Sequence, residues 1–213
     1  MLARDQVLSK MIIILTKTSM RPVLARSAGV SLALAIGAAV VPAHAAQPVV
    51  VAVDGTLCDL TKTLAAGAAS VTCLIPPGGD PHSYRLKPSD RSQIAKSDLV
   101  LHIGFGLTPS AKKLKSPGTV VAVGEVALPS YGGSDPHVWH DPANSAAMVR
   151  VISSSLAPVL PASDRAALQQ RTARAVAVLQ ALQSWEAKQF SSLPPAQRVL
   201  VTDHRTYSHL ADR

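Results

Sequence analysis

The chain has 213 residues, of which 47% are hydrophobic and 3% aromatic, so it can bury one or two cores built mainly from alanine, valine and leucine. Its formal net charge of +8 suggests nucleic acid as a partner, but residues 1–45 contribute five basic residues against a single acidic one. Residues 46–213 hold 16 basic and 12 acidic residues, with no long basic run and no interleaved aromatic residues that could stack on bases. The composition therefore argues against a nucleic-acid-binding protein.

Residues 1–45 are typical of a secretory signal peptide. A basic start precedes an uncharged apolar stretch at 27–41, which is followed by the small-x-small sequence Ala43-His44-Ala45. The apolar stretch is shorter than the roughly 20 residues that a membrane span needs, so the pattern favours export over anchoring. We expect cleavage near Ala45, and no lipid anchor, because no cysteine follows the apolar stretch directly.

Cys58 and Cys73 are the only two cysteines. In an oxidising compartment they can form a disulfide that closes a short loop, which would stabilise the fold by about 3 kcal/mol in the chain-entropy model. Two buried free thiols are the alternative, since pairing cannot be proved from the sequence.

Short apolar runs alternate with helical patterns through residues 46–161. The runs predict four strands, at 48–53, 70–75, 98–103 and 119–123. Between them, residues 57–68 have leucines at helical spacing, and 87–97 begin with the proline and polar residues of a first helical turn. Strands that alternate with helices predict a parallel sheet, and therefore an N-terminal α/β lobe at 46–161.

The second half of the chain is predicted to be mainly helical. Residues 142–160 form a predicted helix that ends before Pro161, and 162–193 contain neither proline nor glycine. An uninterrupted helix of about 26 residues within this segment spans about 40 Å at about 1.5 Å per residue, which is more than one small lobe needs. We therefore expect a rigid linker helix. Its apolar stripe consists of Leu168, Ala175, Leu179, Leu182 and Trp185. A predicted strand at 198–202 would begin a second α/β lobe, of which we expect 194–213 to be an incomplete beginning.

The tripeptide Asp-Pro-His occurs twice, ending at His82 and at His137. Proline holds φ at about −65° and stiffens each turn. His82, His137 and His204 each come after a predicted strand, and ligands of open parallel sheets gather at the carboxyl edge. Three imidazoles at one edge suit a divalent transition metal, and Asp80 and Asp135 are placed to bind turn amides or to orient a ring N–H. Ordinary Asp-Pro turn chemistry is the alternative.

The other histidines of the mature chain are weaker candidates. His102 lies inside a predicted strand, where a packed imidazole is the expected role. His209 is five residues from His204, so on a helix it would point away from it. His140 is three residues from His137 in a loop, and we treat it as an accessory residue at most.

Three blocks of the sequence resemble, in order and spacing, the signature blocks of the zinc and manganese solute-binding proteins of ABC transporters. The blocks are residues 75–90, 135–144 and 198–213. The resemblance implies two α/β lobes joined by one rigid helix, with a metal between them that is passed to a membrane permease from the periplasm. It assigns three ligands to His82, His137 and His204. The family's fourth ligand, a carboxylate of the second lobe, lies beyond this sequence.

Three imidazoles and one carboxylate favour Zn²⁺ over Mn²⁺, since manganese prefers more oxygen ligands. We therefore expect an exported, monomeric receptor that captures Zn²⁺, or alternatively Mn²⁺, for an ABC importer and that is not an enzyme. Two alternatives stay open. One is a truncated paralogue with weak or no metal binding. The other is a zinc hydrolase that activates water at an open coordination position, although no glutamate neighbours the histidines as in His-Glu-x-x-His.

Overall fold

The structure, a computed structural model, describes residues 46–212, so the predicted signal peptide at 1–45 lies outside the described residues. Four parallel strands form one sheet in the order β2-β1-β3-β4. They are β1 (Val49–Ala52), β2 (Ser70–Cys73), β3 (Leu99–His102) and β4 (Thr119–Ala122). In the register, Val50 of β1 is opposite Val71 of β2 and Leu99 of β3. The parallel α/β sheet predicted from the sequence is confirmed.

Helices connect and cover these strands. They are α1 (Gly55–Ala65), α2 (Pro88–Ile94), α3 (Val123–Ala127), α4 (Pro142–Leu156), α5 (Arg165–Ser191) and α6 (Ser208–Ala211). Single 3₁₀ turns occur at Pro109–Ala111, Val138–His140, Ala162–Asp164 and Pro195–Gln197.

The sheet has a separate apolar core on each face, because successive residues of a strand point to opposite sides. Val50 and Ala52 of β1 face a large cluster that includes buried residues of α1, α4 and α5, whereas Val51 faces a smaller cluster with Ile94 of α2 and Ala111. Val50, Val51 and Ala52 are fully buried, as expected for a strand in the middle of a parallel sheet.

The disulfide expected from the sequence is present and joins Cys58 of α1 to Cys73, the last residue of β2, with 5.6 Å between the two Cα atoms. Since β2 is an edge strand with only β1 as a neighbour, the bond fixes that edge to the helix layer. It does so directly before the loop that leads to His82.

The long helix α5 forms as predicted, but only its first part is covered within the described residues. Leu168 and Val176 are buried, and the guanidinium of Arg171 donates a 2.6 Å hydrogen bond to the carbonyl of Leu64 at the end of α1. Farther along the predicted apolar stripe, Leu182 and Trp185 are exposed. Despite the length of α5, no helix of residues 46–212 is both long and apolar enough to cross a membrane.

The strand predicted at 198–202 does not form. These residues have neither helical nor strand structure, and Val199 and Val201 are largely exposed. An apolar run becomes a strand only when a neighbouring strand pairs with its backbone, and within residues 46–212 no such neighbour lies beside this run.

A buried carboxylic acid lies at the start of α1. Asp54 accepts a 3.0 Å hydrogen bond from the backbone N–H of Leu57 and thereby caps the helix. Burial raises its pKa to about 6, and hydrogen bonds from the backbone only partly offset that effect.

We expect Asp54→Asn to stabilise the protein above about pH 6, because asparagine keeps the capping oxygen without a buried charge. Unfolded aspartate loses its proton near pH 3.8 and folded Asp54 near 6, so the folded state binds more protons in this interval and wild-type stability falls as the pH rises through it. The advantage of the variant should grow from near zero at low pH to at most about 3 kcal/mol. Urea unfolding across the interval measures it, and a pH-independent difference would contradict the assignment.

Replacing both cysteines, Cys58→Ala with Cys73→Ala, should lower the free energy of unfolding by about 3 kcal/mol, since the bond closes a loop with a sequence separation of 15. Thermal melts with and without dithiothreitol provide the control. The reductant should lower the melting temperature of the wild type and leave the double variant unchanged. Equal sensitivity of the two proteins would contradict the prediction.

Candidate metal centre

The loop after β2 carries His82 to the carboxyl edge of the sheet. Its turn contains Gly78 with a left-handed φ of +78° and Gly79, where an added Cβ would come within 2.7 Å of the Ile75 side chain. Asp80 then accepts a 3.0 Å hydrogen bond from the backbone N–H of His82. This turn leaves the His82 ring exposed and beside the rings of His137 and His204.

His137 reaches the same edge by a longer route than the sequence suggested. It does not follow β4 directly, because α3 and a loop lie between them. One carboxylate oxygen of Asp135 accepts from the His137 backbone N–H at 3.0 Å and lies 2.6 Å from ring Nδ1. Nδ1 therefore carries the ring proton and donates a hydrogen bond to the carboxylate, which leaves the Nε2 lone pair for a metal. This orienting role for Asp135 is the one expected from the sequence.

Asp135 is itself buried and held from several sides. The Tyr131 hydroxyl donates to its backbone carbonyl at 3.0 Å, and the Ser208 N–H donates to its second carboxylate oxygen at 3.2 Å. Burial alone would raise the pKa of Asp135, but the hydrogen bonds from His137 and Ser208 outweigh it and lower the pKa to about 2. The group is a carboxylate throughout the physiological range.

The residues after α5 return to this edge and bring His204 with them. His209 donates from Nε2 to the Asp135 carbonyl at 3.0 Å, and the Arg205 guanidinium donates to the Ser134 hydroxyl at 3.3 Å. The ring of Tyr207 packs on that of His140, with centroids 4.3 Å apart. We call residues 203–211 the docked tail.

These elements bring three imidazoles together. His82, His137 and His204 can each offer a ligand atom, and those atoms lie within 4.8 Å of one another. The Nε2 atoms of His82 and His137 are 2.9 Å apart, and the His204 ring centroid is 5.3 Å from that of His137. Among residues 46–212 this is the one group of three or more histidine, cysteine or acidic residues with such spacing. His137 is buried, whereas His82 and His204 are exposed and accessible to an incoming ion.

The remaining histidines have other contacts. His102 ends β3 and is half-buried, and burial lowers its pKa. His140 lies outside the group of three, and burial followed by the nearby His137 lowers its pKa as well. His209 binds the Asp135 backbone, so its assignment as a non-ligand fits its contacts.

The arrangement suits a soft or borderline cation. The Nε2 atoms of His82 and His137 lie at hydrogen-bond distance, 2.9 Å, so His82 Nε2–H can donate to the lone pair of His137 Nε2. A metal ion would replace that proton and bind both nitrogen lone pairs. Imidazole nitrogen is a good ligand for Zn²⁺ and several other transition metals. The His204 ring interacts in turn with the Thr206 hydroxyl at 2.6 Å through Nε2.

Comparison with known proteins agrees with this chemistry. A family model described as the zinc-uptake complex component A, periplasmic (ZnuA), matches residues 50–213. Zinc-binding protein TroA of Treponema pallidum (strain Nichols) is 31% identical over 175 residues, which cover 78% of this chain and 56% of TroA. Manganese-binding lipoprotein MntA of Halalkalibacterium halodurans is 32% identical over 162 residues, which cover 72% of this chain and 53% of MntA.

Solved structures share the fold. The periplasmic zinc-binding protein TroA of Treponema pallidum matches with a TM-score of 0.73 at 30% identity, over 78% of this chain and 63% of TroA. Fe(III)-bound YtgA of Chlamydia trachomatis matches with a TM-score of 0.70 at 26% identity, over 76% of this chain and 61% of YtgA. The fold is thus that of metal-binding α/β proteins, and the chain belongs to the ZnuA family. It spans about half the length of the curated relatives it matches.

Sequence reasoning missed the residues that hold Asp135. Tyr131 precedes it by four residues, and Ser208 and His209 follow it by more than seventy. Ser208 and His209 lie within the signature block at 198–213, but that block assigns a ligand role to His204 alone. A tyrosine close before the second Asp-Pro-His was the only local signal.

Asp135→Asn should weaken metal binding by about 10- to 100-fold, because the neutral amide no longer fixes the His137 tautomer by accepting from Nδ1–H. Competition against a chromophoric zinc chelator measures the change. Asp80→Asn is the matched control. Asp80 is exposed and accepts hydrogen bonds only within the turn around His82, so its substitution should reduce the metal affinity much less. Equal losses in both variants would contradict a special role for Asp135.

Proposed function

We propose that this chain is the metal-capturing part of an extracytoplasmic receptor that delivers a divalent transition metal to an ABC importer. The observation that carries the proposal is the group of His82, His137 and His204, whose ligand atoms lie within 4.8 Å of one another. Membership of the ZnuA family and the printed metal-binding roles of TroA and MntA support it. A receptor of this kind binds and releases its metal without chemical turnover.

We favour Zn²⁺ as the cargo. The three candidate donors are all imidazole nitrogens, and His137 is additionally oriented by a carboxylate, a combination found at many zinc sites. Mn²⁺ is the alternative. Its preference for oxygen donors makes it a poorer match to three imidazoles, but a relative that matches this chain is named a manganese-binding lipoprotein.

The domain organisation belongs to the same proposal. Residues 46–161 form the first lobe, 162–193 supply the linker helix, and 194–213 begin a second lobe. The exposed apolar side chains of Leu182 and Trp185 on the far part of α5, and of Val199 and Val201 after it, support this division, because a second lobe packed there would cover them. That lobe would also provide a fourth ligand, for which a carboxylate is proposed.

Isothermal titration of the protein with Zn²⁺ and Mn²⁺ tests the function. We expect about one ion per chain and tighter binding of Zn²⁺. His137→Gln should weaken binding by at least about 100-fold, and His204→Gln by at least about tenfold, because each removes one nitrogen ligand.

His102→Gln is the matched control, since His102 is half-buried and lies outside the group of three. It should leave the affinity unchanged. Weak binding of both ions by the wild type, unaffected by His137→Gln, would overturn the proposal in favour of a paralogue that does not capture metal. Tight binding that survives His204→Gln would restrict the site to His82 and His137.

A further inference from the structure

One face of the sheet is covered by a strongly basic layer. Residues 84–97, which contain α2, and residues 108–118, which precede β4, run side by side over this face. They are joined where the Ser110 hydroxyl donates to the Tyr84 carbonyl at 2.8 Å and where the Ser116 hydroxyl donates to the Ile94 carbonyl at 3.0 Å. Ile94 and Ala111 anchor the two segments in the smaller apolar core.

This layer concentrates the charge of the described residues. It contains seven basic side chains, all exposed: Arg85, Lys87, Arg91, Lys96, Lys112, Lys113 and Lys115. We call these seven the basic face. The layer has one acidic residue, Asp90, which is buried and accepts hydrogen bonds from the Tyr84 hydroxyl and the Lys87 backbone N–H. Its net charge is therefore +6, whereas the rest of residues 46–212 holds eight basic and eleven acidic residues.

No carboxylate of residues 46–212 forms an ion pair with the basic face, and the exposed Asp98 that follows the layer accepts a hydrogen bond from the Val49 N–H instead. The ion pairs found within residues 46–212 join histidines to aspartates, and none involves one of the seven side chains. Seven like charges on one layer raise the local potential and attract an anionic partner.

We propose that the basic face docks the protein on an anionic phospholipid surface. Five of its seven side chains are lysines. Lysine is depleted at protein–protein interfaces, where arginine and aromatic residues are enriched, whereas polybasic lysine-rich surfaces are attracted to acidic headgroups without shaped pockets. The only aromatic residue of the layer, Tyr84, uses its hydroxyl in bonds to Asp90 and Leu74, so the layer offers no free ring to stack on a base.

The geometry is compatible with metal capture. The long helix α5 and the other helices with buried residues in the larger core cover the opposite face of the sheet, and the three histidines lie at its carboxyl edge. A protein that lies on its basic face therefore keeps the candidate metal centre at its side, open to solvent. The inference concerns a surface separate from the three imidazoles and does not depend on their binding a metal.

Vesicle sedimentation tests the proposal. The full sequence is expressed, and the protein form that accumulates is purified and mixed with vesicles of one part phosphatidylglycerol to two parts phosphatidylcholine, or of phosphatidylcholine alone. We expect binding to the anionic vesicles at least about tenfold stronger than to neutral ones at about 0.05 M salt, and loss of that preference at about 0.5 M, where charges are screened within a few ångströms.

The triple variant Lys112→Gln, Lys113→Gln, Lys115→Gln should bind anionic vesicles at least about tenfold more weakly. Its matched control is Arg165→Gln, Arg174→Gln, Lys188→Gln, which removes the same charge from exposed positions of α5 and should stay within about twofold of the wild type. Circular dichroism verifies that both variants are folded.

Three outcomes would overturn the proposal. The first is no preference of the wild type for anionic vesicles. The second is an equal loss in both triple variants, which would indicate a response to net charge alone. The third is tighter binding to a short DNA duplex than to anionic vesicles, which would indicate a nucleic-acid surface. Zn²⁺ affinity, measured in parallel, should be the same in the lysine variant as in the wild type, so a failure of this proposal is distinguishable from a failure of the metal-receptor function.

Discussion

The carboxylate of Asp135 joins two parts of the chain that are far apart in sequence. One oxygen accepts from the backbone and ring of His137, and the other accepts from the Ser208 N–H of the docked tail. The same group therefore orients one imidazole and positions the segment that carries another. A carboxylate can serve both purposes only while it is ionised, and its hydrogen bonds hold its pKa at about 2 although burial opposes this. The proposed centre depends on this one buried charge.

Much of the fold could be predicted from the sequence, because the signals were local. The strands β1 to β4 are short apolar runs, and each forms within one or two residues of its predicted bounds. The prediction of a strand at 198–202 was wrong because a strand depends on more than local apolar character. Its backbone needs a pairing partner, and none lies beside this run in the described residues. The two Asp-Pro-His turns likewise pointed to His82 and His137, whereas the route of His204 to the same place depends on contacts of Asp135 that no motif encodes.

Charge shows the same limit of sequence reasoning. Along the chain the lysines and arginines between Arg85 and Lys115 occur singly or in the short group at 112–115, so no long basic run appears. The fold brings two segments side by side over one face of the sheet, and the dispersed charges become one surface. The sequence count of a moderate excess of basic residues was correct, yet it concealed a layer of +6 beside a remainder with more acidic than basic residues. The net charge of a protein affects its solubility, whereas the distribution of that charge over the surface determines where a charged partner can dock.

The docked tail has a thermodynamic consequence. It meets the lobe through a few hydrogen bonds near Asp135 and through contacts between aromatic and imidazole rings, and the residues before it, 198–202, form no regular structure. The third imidazole therefore acts at an effective concentration set by how often the tail is docked. A tail docked about one-tenth of the time would weaken metal binding by about tenfold, although every ligand is present. By reciprocity, a bound metal that contacts His204 would hold the tail in place, so tail order and metal affinity are two measures of one coupling free energy.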